Sequence, residues 1–116
     1  MSSILTGTKL SLGITEDNTD FDAMLIVHIN TVLNILTQLG VGPEEGFTIS
    51  DSSTQWDEFL GKSKLLDLTQ TYVSMKVRMM FDPPTSSSVA EAYNRMISEL
   101  EYRINIIVDP QKESSA

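Results

Sequence analysis

The sequence predicts an all-α fold, a small bundle of three long helices and two short ones, and three observations carry that prediction. Apolar residues recur at steps of three and four over three long stretches. A glycine or a proline stands at or just beyond the end of each stretch. Alternating apolar and polar runs that would mark strands are slight. At 116 residues, 41% of them hydrophobic, the chain suits one domain that folds without staples. Residues 1–110 are expected to form that domain, with 111–116 as a C-terminal tail.

The first short helix is expected over about residues 3–11, weakened by Gly7 and several hydroxyl side chains, with Gly13 ending it. The first long helix follows over about 19–40. Phe21, Leu25, His28, Val32, Ile35 and Leu39 form its buried row, and Met24, Ile29, Leu33 and Leu36 widen the stripe. Thr19 is the expected N-cap, with Asp22 three residues on as a short-armed capping box. Gly40 supplies the left-handed residue that ends it. Residues 41–53, with Gly42, Pro43 and Gly46, read as an irregular connection in which Phe47 and Ile49 are extended and pinned to the core.

Thr54 then opens a short helix over about 54–60, anchored by Trp56, Phe59 and Leu60 and closed by Gly61. The second long helix spans about 63–81. Leu65, Leu68, Tyr72, Met75 and Met79 form one row and Leu66, Val73, Val77 and Met80 the next, so it is apolar on two sides. Pro83 disfavours helical geometry at Asp82, which places the end near Phe81. The last helix covers about 87–108, with Val89, Tyr93, Met96, Leu100, Ile104 and Ile107 as its apolar row. Ser88 and Glu91 have capping-box spacing. Glu91, Arg95, Glu99 and Arg103 alternate in sign four apart, as an exposed ladder. Asp109-Pro110 ends the helix.

Composition excludes several functions. No cysteine is present, which removes disulfides and thiolate metal sites. Sixteen acids against eight bases give a net charge of -8, the wrong sign for gripping nucleic acid. Residues 1–12 lack a basic region and a long apolar run, so no signal peptide is read there. The most apolar stretch, 23–39, is too polar and short to span a bilayer, so a reducing cytosol is the expected setting.

Candidates for chemistry are few. His28, the single histidine, lies on an apolar row and reads as a packed or interface residue rather than a catalytic one. With one histidine and no cysteine, zinc has no ligand set. Glu44 and Glu45 read as solvated loop acids rather than an acid–base pair. Gly40-Val41-Gly42 lacks a dinucleotide fingerprint, and Asp51, Asp57 and Glu58 do not form an EF-hand loop. No enzyme and no cofactor are expected. Trp56 is either a core anchor beside Phe59 or an interface hot spot. The methionines at 24, 75, 79 and 96 are expected to face the core as gap-fillers.

Beyond physics, the run Tyr72 to Ser87, with its Asp82-Pro83-Pro84 turn, carries a resemblance. So do Glu99-Leu100-Glu101-Tyr102-Arg103-Ile104-Asn105, Val108-Asp109-Pro110, Val27-His28-Ile29-Asn30 and Leu39-Gly40-Val41-Gly42. In order and spacing these segments resemble the small all-α head–tail connector proteins of tailed bacteriophages, also called adaptor or head-completion proteins. The resemblance runs from about Leu12 to Pro110. It implies a structural virion protein that forms a homo-oligomeric ring under the portal and extends the DNA channel without binding DNA specifically. It implies portal, tail or stopper proteins as partners, and host cytoplasm as the place of assembly. A ring joins two different faces of each copy, and the helix over 63–81, apolar on two sides, is expected to serve both core and neighbour. The candidate partner or oligomer contacts are Glu44, Glu45, Phe47, Trp56, Asp109 and Pro110. The acidic excess fits equally a small regulatory or DNA-mimicking binding protein. Residues 1–61 hold nine acids and one base, Lys9, while residues 62–116 hold seven of each. The net charge therefore belongs to the first half, which is expected to line the channel or meet a basic partner.

Overall fold

The computed structural model describes residues 3–61 and 63–108. They form five helices: α1 (Ile4–Ser11), α2 (Asp22–Gln38), α3 (Trp56–Leu60), α4 (Leu66–Phe81) and α5 (Ser87–Val108). Among the described residues the only ladder pairing is one isolated bridge between Ser3 and Gln55. The fold is all-α, as the periodicity predicts.

Helix α4 is the centre. It packs against α1, α2 and α5, whereas α2 and α5 meet only near their C-terminal ends. Both of its apolar rows enter the core, with Tyr72, Val73 and Val77 fully buried, while Leu68 is half-buried and Met80 open to solvent. Helix α2 contributes Leu25, Ile29, Val32, Leu33 and Leu36 to the same core. From α1, Ile4 and Leu5 are buried, so the weak opening helix is fixed by tertiary burial rather than by propensity.

Helix ends show where sequence spacing misleads. Thr19 does not cap α2: the helix begins at Asp22, whose N–H donates to the Thr19 carbonyl at 3.2 Å, and no side chain caps it. The expected capping partner, Asp22, is drawn to Lys9 instead, 3.0 Å away. Helix α3 begins one residue later than expected, at Trp56, with Gln55 rather than Thr54 as its N-cap. The Thr54 carbonyl accepts the Ile4 N–H at 3.1 Å, and Glu58 closes the cap by accepting the Gln55 N–H at 2.8 Å. For α5 the capping hydroxyl belongs to Ser86, which accepts from the Val89 N–H at 3.4 Å; Ser88 already lies inside the first turn.

The end of α2 follows expectation. Gly40 has φ 93°, the Gly40 N–H donates to the Thr37 carbonyl at 3.0 Å, and the Val41 N–H reaches back to Leu36 at 2.9 Å. These two bonds make the closed C-terminal turn that a left-handed residue permits. A Cβ on Gly40 would lie 2.7 Å from Val108 Cγ1, so the site also lets α5 approach.

The connection after α2 is irregular and pinned as predicted. The Asn30 carboxamide accepts the Ile49 N–H at 2.8 Å and donates to the Ile49 carbonyl at 3.0 Å, which ties this extended segment to α2. Phe47 lies half-buried against Phe59, ring centroids 5.1 Å apart.

Candidate functional site

The first half of the chain presents almost pure negative charge. Of its nine acids, Glu16, Asp17, Asp20, Glu44, Glu45, Asp51, Asp57 and Glu58 are exposed. Lys9, its one base, is only 2% exposed. The Lys9 ammonium lies 3.0 Å from Asp22 Oδ1 and donates to the Glu16 carbonyl at 2.9 Å. Charge rather than an aligned hydrogen bond holds the pair, since Asp22 Oδ1 has no well-directed donor. Burying a lone ammonium is costly unless it is paired, and this pair satisfies it while anchoring the 14–22 turn onto α1. The surface thus loses its only cation in this half. At Asp51, the Ser53 hydroxyl and N–H hold the carboxyl below its usual range, so that acid stays ionised.

A different surface lies on α5. Only Ile97 and Ile104 of its 22 residues are buried. Val89, Met96 and Ile107 of the expected core row are open to solvent, Met96 by 51%. The reason is geometric: α5 touches one helix, α4, along its length, and one neighbour covers only a narrow strip of a helix. Between the two helices runs a groove lined by Leu68, Thr71, Met96, Glu99, Leu100 and Arg103. Of the four-residue ladder, only Glu99 and Arg103 pair, at 2.7 Å and fully on the surface. Further along α4, Arg78 lies over the Tyr93 ring of α5 with its carbon Cζ 5.7 Å from the centroid. Its Nε is buried without a partner.

One turn along α4 from Leu68, Tyr72 is fully buried and its hydroxyl donates to Glu101 Oε2 at 2.6 Å. Burial and then the carboxylate itself push the phenol well above its usual range. This is the one side-chain hydrogen bond between α4 and α5 among the described residues.

The sequence candidates disperse. Trp56 is 4% exposed and goes to the core. Glu44 stands in solvent, and Glu45 and Phe47 border a shallow hollow with Asn34 and Thr48. Asp109 and Pro110 lie outside the described residues. His28 is half-buried on the flank of α2. Met75 and Met79 face the core, but Met24 does not: it is 53% exposed beside Val27, which is 63% exposed. Sequence spacing missed this outward pair, because Met24 and Val27 continue an apolar stripe wider than its neighbours can cover. No three His, Asp or Glu side chains among the described residues converge as metal ligands. No described helix is long and apolar enough to cross a membrane.

A small helical fold whose exposed features are broad surfaces, one acidic and one apolar, defines a protein built for contact with other macromolecules. The chain belongs to a family described as phage connector proteins, whose model matches residues 4–111. It is therefore a structural component of the virion, at the joint between head and tail, among partners such as portal or tail proteins. No curated protein and no solved structure matches the chain.

Proposed function

We propose that the chain assembles into a homo-oligomeric ring beneath the portal, extends the channel for double-stranded DNA, and offers the docking surface on which a tail or stopper protein completes the head. The family match over residues 4–111 carries this reading. The eight exposed acids of the first half support it: DNA slides past a negative wall without the phosphate contacts that a basic lumen would make. In this reading residues 1–110 act as one domain and 111–116 as a tail, assembled in the host cytoplasm. Glu44, Glu45, Asp109 and Pro110 meet portal or tail, and Phe47 braces the 41–53 connection that carries the two glutamates. The role is architectural, with no catalytic step and no cofactor.

Negative-stain microscopy and light scattering on the purified chain, alone at high concentration and with purified portal, test it. Rings are the expected result. A strict monomer that ignores portal at high micromolar concentration overturns it.

A further inference from the structure

A ring needs one surface of each copy to fit a different surface of the next. Charge does not select that pair here. The surface of residues 3–61 is acidic, and residues 62–116, with seven bases against seven acids, offer it no basic counterpart. A fit already present within one copy is the alternative. Helix α5 on α4 supplies it, with Tyr93, Ile97, Leu100 and Ile104 packed against the core that α4 centres.

Helix α5 is attached differently from the others. Helices α1, α2 and α4 pack on one another without it, and it follows all of them along the chain. It rests on α4 by a narrow strip in which only Ile97 and Ile104 are buried, with the single side-chain hydrogen bond from Tyr72 to Glu101. An element held by so few buried groups opens before the rest of a fold does. The connection at residues 82–86 favours that opening. Among the described backbone hydrogen bonds, none involves residues 83–85. Asp82 and Pro83 each precede a proline, which biases both towards extended backbone. Five extended residues reach roughly 17 Å, beyond the ~10–12 Å width of one helix. The start of α5 can therefore cross to an adjoining copy.

We infer that α5 is exchanged between copies: pivoting at residues 82–86, it leaves its own α4 and seats Ile97, Leu100 and Ile104 on α4 of the next copy. This rests on the ring reading above and names the contact that closes the ring. The exchanged helix makes the contacts it makes at home, the bond between Tyr72 and Glu101 included, so the buried strip is conserved and no second complementary surface is required. Passed in one direction from copy to copy, the exchange is head-to-tail, because α4 receives and α5 is given. The acidic surface of residues 3–61 takes no part in it and stays free for the lumen or for another protein.

The chain has no cysteine, so introduced thiols report the contact cleanly. Thr71→Cys/Glu99→Cys and Leu68→Cys/Arg103→Cys each place one thiol on α4 and one on α5 along the same groove. Oxidised in dilute solution, each pair staples α5 to its own α4, which mass spectrometry verifies while thermal unfolding verifies the fold. Under conditions where the unmodified chain forms rings, the stapled chains are expected to form at least tenfold fewer, and reductant is expected to restore them. Thr71→Cys and Glu99→Cys are also prepared separately and mixed in rings. The mixture is expected to give at least tenfold more disulfide-linked dimer than either variant alone. Rings that form equally well from stapled chains overturn the exchange and leave the ring reading standing, and so do rings in which the mixture does not cross-link. Failure of both pairs to close within a monomer removes the α4–α5 register on which the exchange is built, and overturns it. A chain that stays monomeric with and without portal removes the ring reading and the exchange together.

Discussion

Changing Tyr72 to Phe removes one oxygen atom from the centre of the molecule, and the structure sets what that costs. The hydroxyl donates to Glu101 Oε2 at 2.6 Å from a side chain that is fully buried. A hydrogen bond to a charged group contributes about 1.5–3 kcal/mol. Glu101 is half-exposed, so water recovers part of its loss, and the ring of Phe fills the same core space. We expect a loss near the bottom of that range, about 1.5 kcal/mol. With a urea m-value of about 1.5 kcal/mol/M, that moves the midpoint down by about 1 M with the slope unchanged. The pH dependence has a definite sign. The folded phenol is held protonated above its usual range, so the stabilisation is complete below pH about 10 and declines as the unfolded chain ionises above it. Stability of the parent chain therefore falls as pH rises above about 10, and Tyr72→Phe removes that part of the fall. In a titration of tyrosine absorbance, one of the three tyrosines keeps its proton beyond the usual range, and this step vanishes in Tyr72→Phe. A variant as stable as the parent at pH 7, with an unchanged alkaline profile, would refute the argument that this bond ties α4 to α5.

Three further perturbations test other parts of the fold. Asn30→Ala strips partners from both backbone groups of Ile49, so we expect a loss of about 2 kcal/mol in thermal unfolding and faster hydrogen exchange at the Ile49 amide. Gly40→Ala puts a side chain at φ 93° and against Val108 Cγ1, and about 1–3 kcal/mol of stability should disappear in a urea titration. Lys9→Ala leaves Asp22 and the Glu16 carbonyl without their cation, with an expected cost of about 2 kcal/mol. Asp22→Asn should cost less by calorimetry, because the buried ammonium keeps the carbonyl and a neutral oxygen.

Helix existence was legible because it depends on periodicity summed over many residues. The rows containing Leu25, Ile29, Val32 and Leu36, and Tyr72, Val73 and Val77, declare their buried faces without reference to anything distant. The left-handed end at Gly40 was equally local. Caps were not, because a hydroxyl at the right spacing competes with partners far along the chain: Asp22 answers to Lys9, and the Thr54 carbonyl to Ile4. The same limit governs the interaction surfaces. Periodicity places Met24 and Met96 on apolar stripes, but the number of helices available to cover each stripe is a property of the assembled bundle. One sequence signal did point to the acidic surface. Lys9 is the solitary base among nine acids in residues 1–61, though its burial depends on the distant Asp22 and Glu16 and is not legible in the pattern.

The inward turn of Lys9 also governs the kinetics of encounter. Two free copies feel one another over roughly a Debye length, ~8 Å at physiological ionic strength. Collisions that lead with both acidic halves are repelled, and no surface lysine in residues 3–61 softens them. Collisions that present the second half of the chain, with seven bases against seven acids, escape most of that repulsion. Added salt therefore raises the rate at which identical copies collide indiscriminately, and erodes the orientational filter that selects one approach. A basic partner experiences the opposite, with capture fastest at low salt and slowing as salt is added. One buried ammonium thus gives copies of this chain and a cationic partner opposite responses to the same ions.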